Sequence, residues 1–131
     1  MLHLSTMSGK LKGMRALNTD TTSNPFCIYM YENSPEDFIC HWCYSWYMML
    51  TYRKNCVKKW KENSDALSVP IPYDDLPILN DVLFRIDAHG ELINLNHMVN
   101  IHWLTVKNPG TTIGLWTKRK PFVRQYLKQF T

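Results

Sequence analysis

The chain has 131 residues, which is one domain on length, and 45% hydrophobic with 20% charged residues is a globular balance that excludes a disordered tract. Fifteen Lys and Arg against eleven Asp and Glu give a net charge of +4, which permits contact with nucleic acid or an acidic surface and requires neither. The charge-free run Phe38 to Thr51 is interrupted by His41 and Ser45 and falls short of the roughly 20 apolar residues of a membrane span.

In chain order, residues 1–9 read as a flexible leader and residues 10–131 as a single α/β metal-binding domain. No basic start followed by an apolar block opens the sequence, so a cytoplasmic address is expected. Lys10 to Leu17 is a first strand candidate, and Asn18 to Pro25 reads as a polar loop. From Cys40 to Asn63 there is neither Gly nor Pro. Trp42, Trp46, Met49, Tyr52, Cys56 and Trp60 recur there at spacings of three and four, which predicts one long amphipathic helix with Arg53, Lys54, Lys58, Lys59 and Lys61 on its polar face. Val69 to Pro77 is an extended connector. Val82 to Ile86 is a buried strand, stopped by Asp87 and Gly90. Asn94 or Asn96 caps a helix that runs to Lys107 and stops at Asn108-Pro109-Gly110. Thr111 to Trp116 is a further strand, and Pro121 suits the first turn of a last helix through Phe130. Three strand–helix units in alternation predict an α/β fold with a small parallel sheet, the long helix following a Cys-rich loop.

Four cysteines in a chain without an export signal favour reduced thiols or metal ligands over disulfides. Cys40 and Cys43, two residues apart at a helix start, can present two thiolates to one tetrahedral metal, and Cys27 on the preceding loop can close over it. A helix N-terminus favours thiolate charge. Thirteen residues of helix would put Cys56 about 20 Å from Cys43, so Cys56 reads as a core thiol on the apolar stripe. Zinc is the expected metal and needs a fourth ligand, for which His89 is preferred to His41 and His102; the alternative is an iron–sulfur cluster with an open fourth site. The run Phe84 to Leu92 places His89-Gly90-Glu91 just past a strand, at the carboxyl edge where ligand sites of α/β proteins lie.

Together these segments resemble the radical-SAM-like proteins encoded by bacteriophages and related mobile elements. The matching pieces are Asn24-Pro-Phe-Cys27, Ile39-Cys-His-Trp-Cys-Tyr44, Tyr52-Arg-Lys-Asn55, Phe84 to Asn94 and Leu115-Trp-Thr-Lys118, spread over roughly residues 10–120. The resemblance implies that Cys27, Cys40 and Cys43 are cluster cysteines. It also implies that His89-Gly90-Glu91 corresponds to the Gly-Gly-Glu-type turn near the amino group of S-adenosylmethionine. The interval Cys27-x12-Cys40 is wider than the usual radical-SAM spacing. A full (β/α)8 barrel takes about 250 residues, so the expectation is a half-barrel-like sheet with an uncovered face that meets a second copy or a partner.

Two functions follow as expectations. One is a small phage-derived metal-binding protein that binds and inhibits a macromolecule of a bacterial host, in the manner of anti-CRISPR proteins acting on a CRISPR effector nuclease, whether protein or ribonucleoprotein. The other is a radical-SAM-like iron–sulfur enzyme fragment completed by homodimerisation. For partner contact the basic residues Lys118, Arg119, Lys120, Arg124 and Lys128, interleaved with Trp116, Phe122 and Tyr126, are the candidates. No zinc-finger spacing or RNA-binding aromatic signature is present, so direct nucleic-acid recognition is the lesser expectation.

Overall fold

In the computed structural model, which describes residues 2–130, the sheet begins with Ser5–Thr6 (β1), paired antiparallel with Arg15–Leu17 (β2). Leu83–Ile86 (β3) and Thr112–Leu115 (β4) then add in parallel, giving the order β1-β2-β3-β4. With five α-helices among the described residues, the fold is mixed α/β with a mostly parallel four-stranded sheet. The expected first strand, Lys10 to Leu17, is shorter than its pattern suggested: Gly9–Leu11 form a 3₁₀ turn and pairing starts at Arg15. The segment expected as a leader carries β1, and His3 exchanges bonds with the buried Asn63, its N–H donating to Oδ1 at 2.8 Å and its carbonyl accepting from Nδ2 at 2.9 Å.

The polar run after β2 ends in a helix that its composition hid. Asn24 caps Pro25–Asn33 (α1), its Oδ1 accepting from the Phe26 and Cys27 N–H groups, with Pro25 in the first turn where its missing N–H is harmless.

The single helix expected over Cys40 to Asn63 is corrected to a broken path. Ile39–Trp42 make a 3₁₀ turn, Tyr44–Leu50 form α2, Lys54–Cys56 make another 3₁₀ turn, and Val57–Leu67 form α3. The break falls at Thr51, with φ −126° and ψ −93°; its β-branched side chain folds back so that Oγ1 donates to Tyr47 O at 2.8 Å. Only part of the expected apolar stripe is buried: Met49 of α2 and Trp60 of α3 lie inside, whereas Trp42 and Tyr52 are exposed. Sequence spacing is unchanged by a turn at Thr51, so periodicity alone read through it. At its other end α2 is capped by Cys43, whose Sγ accepts from Trp46 N at 3.4 Å.

Leu95–Lys107 (α4) and Lys120–Phe130 (α5) stand close to the spans expected of them, α4 with Asn94 Oδ1 accepting from His97 N at 3.0 Å. One sheet face holds Leu17, Phe84 and Ile86 against Leu67 of α3 and Met98, Ile101 and Leu104 of α4, with Phe122, Val123 and Tyr126 of α5 at the margin. The residues that alternate with them, Leu83, Arg85, Thr112 and Gly114, look the other way. Together with Leu11, Met14 and Trp116 they line an open groove of about 490 Å3.

The loops at the carboxyl ends of the three parallel strands are tied to one another. From the segment after β2, Thr19 N donates to His89 O at 3.1 Å, Thr19 Oγ1 donates to Asp87 Oδ1 at 2.9 Å, and Asn18 Oδ1 accepts from His89 N at 3.0 Å. The segment after β3 is thereby drawn so close that a Cβ on Gly90 would lie 1.9 Å from Thr19 Oγ1, and Gly90 also sits at φ +101°, where side chains are strained. Gly90→Ala is therefore expected to lower stability by more than about 2 kcal/mol in urea unfolding, beyond what a positive φ alone would cost.

Candidate functional site

The segments after β2, β3 and β4 and the start of α2 enclose a recess of about 190 Å3 at the carboxyl edge of the sheet. Cys27, from the first turn of α1, Cys40, from the 3₁₀ turn, and Cys43, the cap of α2, all line it, beside Arg85, Asp87, Glu91 and Lys118. The sequence spacing thus brought the three expected cysteines to one place, although by two helix starts instead of a loop and a helix. Among the described residues no three His, Cys, Asp or Glu side chains stand in place to hold a metal ion. The sulfurs share a recess without converging on a point inside it.

The electrostatics of the recess disfavour thiolate charge at Cys27 and Cys40. Burial, reinforced by the charge of Glu91 and by the neighbouring Cys43, Asp87 and Cys40, pushes the Cys27 thiol up to about 12. Cys40 is also raised by burial, with Lys118 opposing the shift. Burial is the larger cause at both cysteines, so the recess as it stands favours the protonated, uncharged thiol.

Glu91 is committed to structure. Its buried carboxylate accepts from Leu92 N at 2.8 Å, from Lys118 N at 2.9 Å and from the Thr117 hydroxyl, which ties the segment after β3 to the one after β4. Asn24 Nδ2 donates to Glu91 O at 3.0 Å and joins α1 to the same point. His89 does not line the cysteine recess. Its ring stacks on Trp60 with centroids 4.7 Å apart and its Nδ1 lies 2.8 Å from Ser45 Oγ, so it faces a larger cleft on the far side of the β3 loop. His41 has Nδ1 3.0 Å from Ser34 O, and His102 has Nδ1 2.8 Å from the Tyr126 hydroxyl. Cys56 lines the larger cleft too, so it stands apart from the other cysteines, but because of where α3 begins and not because a continuous helix carries it away.

Among the basic candidates, Arg119 is used internally. Its Nη1 donates to the carbonyls of Leu92 and Ile93 at 3.0 Å each, and its guanidinium lies 4.8 Å from the Phe26 ring and 4.2 Å from the Phe122 ring. Lys118, Lys120, Arg124 and Lys128 are exposed. Lys118 reaches the rim of the recess, and Lys120 and Arg124 flank Trp116, which is 76% exposed.

Sequence reasoning passed over Arg85 and Asp87. An arginine inside a β-branched and aromatic strand is the signal that could have found the first, since a charge there must face away from the core. Asp87, at φ +54°, ends β3 with one carboxylate oxygen on Thr19 and the other, Oδ2, without a partner, 3.9 Å from His97 Nε2. His97 Nδ1 accepts from Ile93 N at 3.2 Å, so Nε2 carries the hydrogen of the neutral ring. No family model matches the chain, nor does any curated protein or solved structure.

Burial drives both members of this pair toward neutrality, raising Asp87 despite the Thr19 hydrogen bond and lowering His97 to about 4. The two have opposite linkage. An acid raised in the fold loses stability as pH climbs above its unfolded value, whereas a histidine lowered from 6.5 to about 4 gains stability as pH rises through that interval. Asp87→Asn should therefore steepen the rise of unfolding free energy between about pH 4 and 6.5 relative to the wild type, and His97→Asn should flatten or invert it, as read by urea titrations at several pH values.

Proposed function

We propose that the chain is a small metal-binding protein of the half-barrel type that acts by docking onto a macromolecule, with Cys27, Cys40 and Cys43 holding one structural metal, zinc in the first instance. The observation that carries this reading is the meeting of all three cysteines in one recess, delivered by separate elements whose only common feature is that they end there. Zinc needs a fourth donor, and with His89 turned to the other cleft that position falls to water or to a group brought by the partner. Once bound, zinc would supply a cross-link and no chemistry of its own. It would fasten α1 and the 3₁₀ turn before α2 to each other without passing through the hydrophobic core.

The docking part of the proposal rests on the sheet face that no helix covers. Leu83 and Trp116 are exposed there, and Lys118, Lys120 and Arg124 stand beside them, an apolar centre with a basic rim. A partner of acidic or nucleic-acid-linked surface fits that rim. The resemblance to phage proteins makes a CRISPR effector nuclease in the cytoplasm of a bacterial host the partner to try first. No helix among the described residues is long and apolar enough to cross a membrane. The second reading, an iron–sulfur enzyme fragment completed by a second copy, is favoured by the same recess opening at the strand ends beside Arg85 and Glu91. Metal identity and cleavage of S-adenosylmethionine under reducing conditions separate the two.

Protein purified without chelator should carry one zinc per chain by elemental analysis; iron with acid-labile sulfide would transfer the recess to the enzyme reading, and no metal would end both. Cys40→Ser and Cys43→Ser should lose the metal and on the order of 3 kcal/mol of stability, and Cys56→Ser should keep its metal.

For the docking surface, Lys118→Glu with Lys120→Glu and Arg124→Glu should slow association with the nuclease about tenfold at low salt and abolish inhibition of target-DNA cleavage, while Arg119 is left in place to spare the fold. Unchanged inhibition by this triple variant would remove the basic rim from the contact.

A further inference from the structure

A cleft of about 670 Å3 lies on the opposite side of the β3 loop from the cysteines, between the N-terminal segment around β1 and residues of α2 and α3 that include Met48, Lys59 and Trp60. That volume is in the range of cavities that hold small organic ligands, roughly 300–1,000 Å3. Its charge is one-sided. Arg53, Lys59 and Arg85 all line it, from three different elements, and no Asp or Glu does. The neighbouring carboxylate of Glu62 is taken by His3 Nε2 at 2.6 Å.

One of the three cations carries an orphaned buried atom, and a second, Lys59, is exposed. Arg85 Nε is buried without a hydrogen-bond partner, a costly state for a guanidinium unless an acceptor arrives. Lys59 forms no ion pair among the described residues. Arg53 donates from Nη2 to Ser8 Oγ at 3.2 Å, which holds it across the cleft. Burial, helped by the fields of Arg53 and Arg85, keeps His89 between them neutral, its value lowered to about 4. The remaining wall is apolar and hydroxylic, with Leu4, Met48 and Trp60 facing Ser5 and Thr6.

From this cleft we infer that the protein binds a phosphorylated small molecule, its phosphate held by Arg53, Lys59 and Arg85 and its apolar body lying along Leu4, Met48 and Trp60. A dianionic phosphate matches three cations lining one cleft better than a monoanionic carboxylate does, and arginine presents a fork suited to its oxygens. The cleft shares Tyr44, Arg85 and Ala88 with the cysteine recess but none of its three candidate metal-ligating cysteines. It stands whether or not that recess holds a metal.

Isothermal titration of the full chain at low salt tests this with AMP, adenosine and inorganic phosphate as probes. AMP should bind one per chain with Kd below about 1 mM, and adenosine at least about tenfold more weakly. Arg53→Gln and Lys59→Gln should each weaken AMP binding about fivefold or more, whereas Lys58→Gln, an exposed neighbour that does not line the cleft, should change it less than about twofold. Binding should move the indole N–H resonance of Trp60, whose Nε1 donates to Ser5 Oγ at 3.2 Å, which locates the ligand in this cleft. Because Arg85 is partly buried and its loss can unfold the chain, Arg53→Gln and Lys59→Gln are the deciding variants. Failure of both AMP and phosphate to bind saturably, equal affinity for adenosine and AMP, or indifference to Arg53→Gln and Lys59→Gln would each overturn the inference.

Discussion

Everything at the carboxyl edge of the sheet depends on a chain of hydrogen bonds that runs from strand to strand across three loops. Thr19 and Asn18 hold the turn after β3, and Glu91 within that turn holds the segment after β4. Thr21, Ser45 and His89 continue the same line into α2, with Thr21 Oγ1 2.7 Å from Ser45 Oγ. The strands themselves are only three or four residues long in the parallel part, too short for their ladders alone to fix the ends. The loop bonds are buried, where a missing partner is expensive, and so they set the separation of the strand ends and with it the shape of both cavities.

Much of this was legible in the residue pattern, and the failures have a common cause. Strand β3, helix α4 and their stops follow from a short β-branched run, a capping asparagine and Asn108-Pro109-Gly110, all local signals. Cys27, Cys40 and Cys43, singled out by their spacing, do line one recess, although among the described residues no three metal-ligating side chains are grouped there. What the pattern hid was the work of two asparagines, one inside helix α4 and one at its stop. Asn100 Nδ2 donates to the carbonyls of Leu67 and Val69 while its Oδ1 accepts from Ile71 N, and Asn108 does the same for Pro77 and Leu79. These buried amides replace a ladder for the proline-rich connector, and no periodicity records them. The break at Thr51 was hidden because apolar spacing is a property of the sequence alone, and Trp42 and Tyr52 keep that spacing although both are exposed. The internal bonds of Arg119 were not legible because Leu92, Ile93 and Phe26 lie far away in sequence, although Phe122 is only three residues on.

Arg85 gives the molecule a further property. It stands on the middle of the parallel strands and borders the cysteine recess, the open sheet groove and the large cleft. One guanidinium cannot serve an anion in one cavity and keep an unchanged position in the others. A ligand that recruits Arg85 changes the charge presented to the thiols and to the exposed sheet face, so the three surfaces are linked through a single side chain.

The order of the strands also bears on how the chain reaches this structure. Pairing of β3 with β4 joins Ile86 to Leu115 across one helix, a compact βαβ unit that holds most of the core. Pairing of β2 with β3 joins Leu17 to Ile86 and must close a far longer loop, within which all of Cys27, Cys40 and Cys43 lie. Closure of the longer loop carries the larger entropy loss and comes later in assembly, after the C-terminal unit offers it an edge. A metal caught by those cysteines would shorten the effective loop before docking, so the recess would act on the rate at which the N-terminal half finds its place, as a clasp on the slowest-closing stretch of the chain.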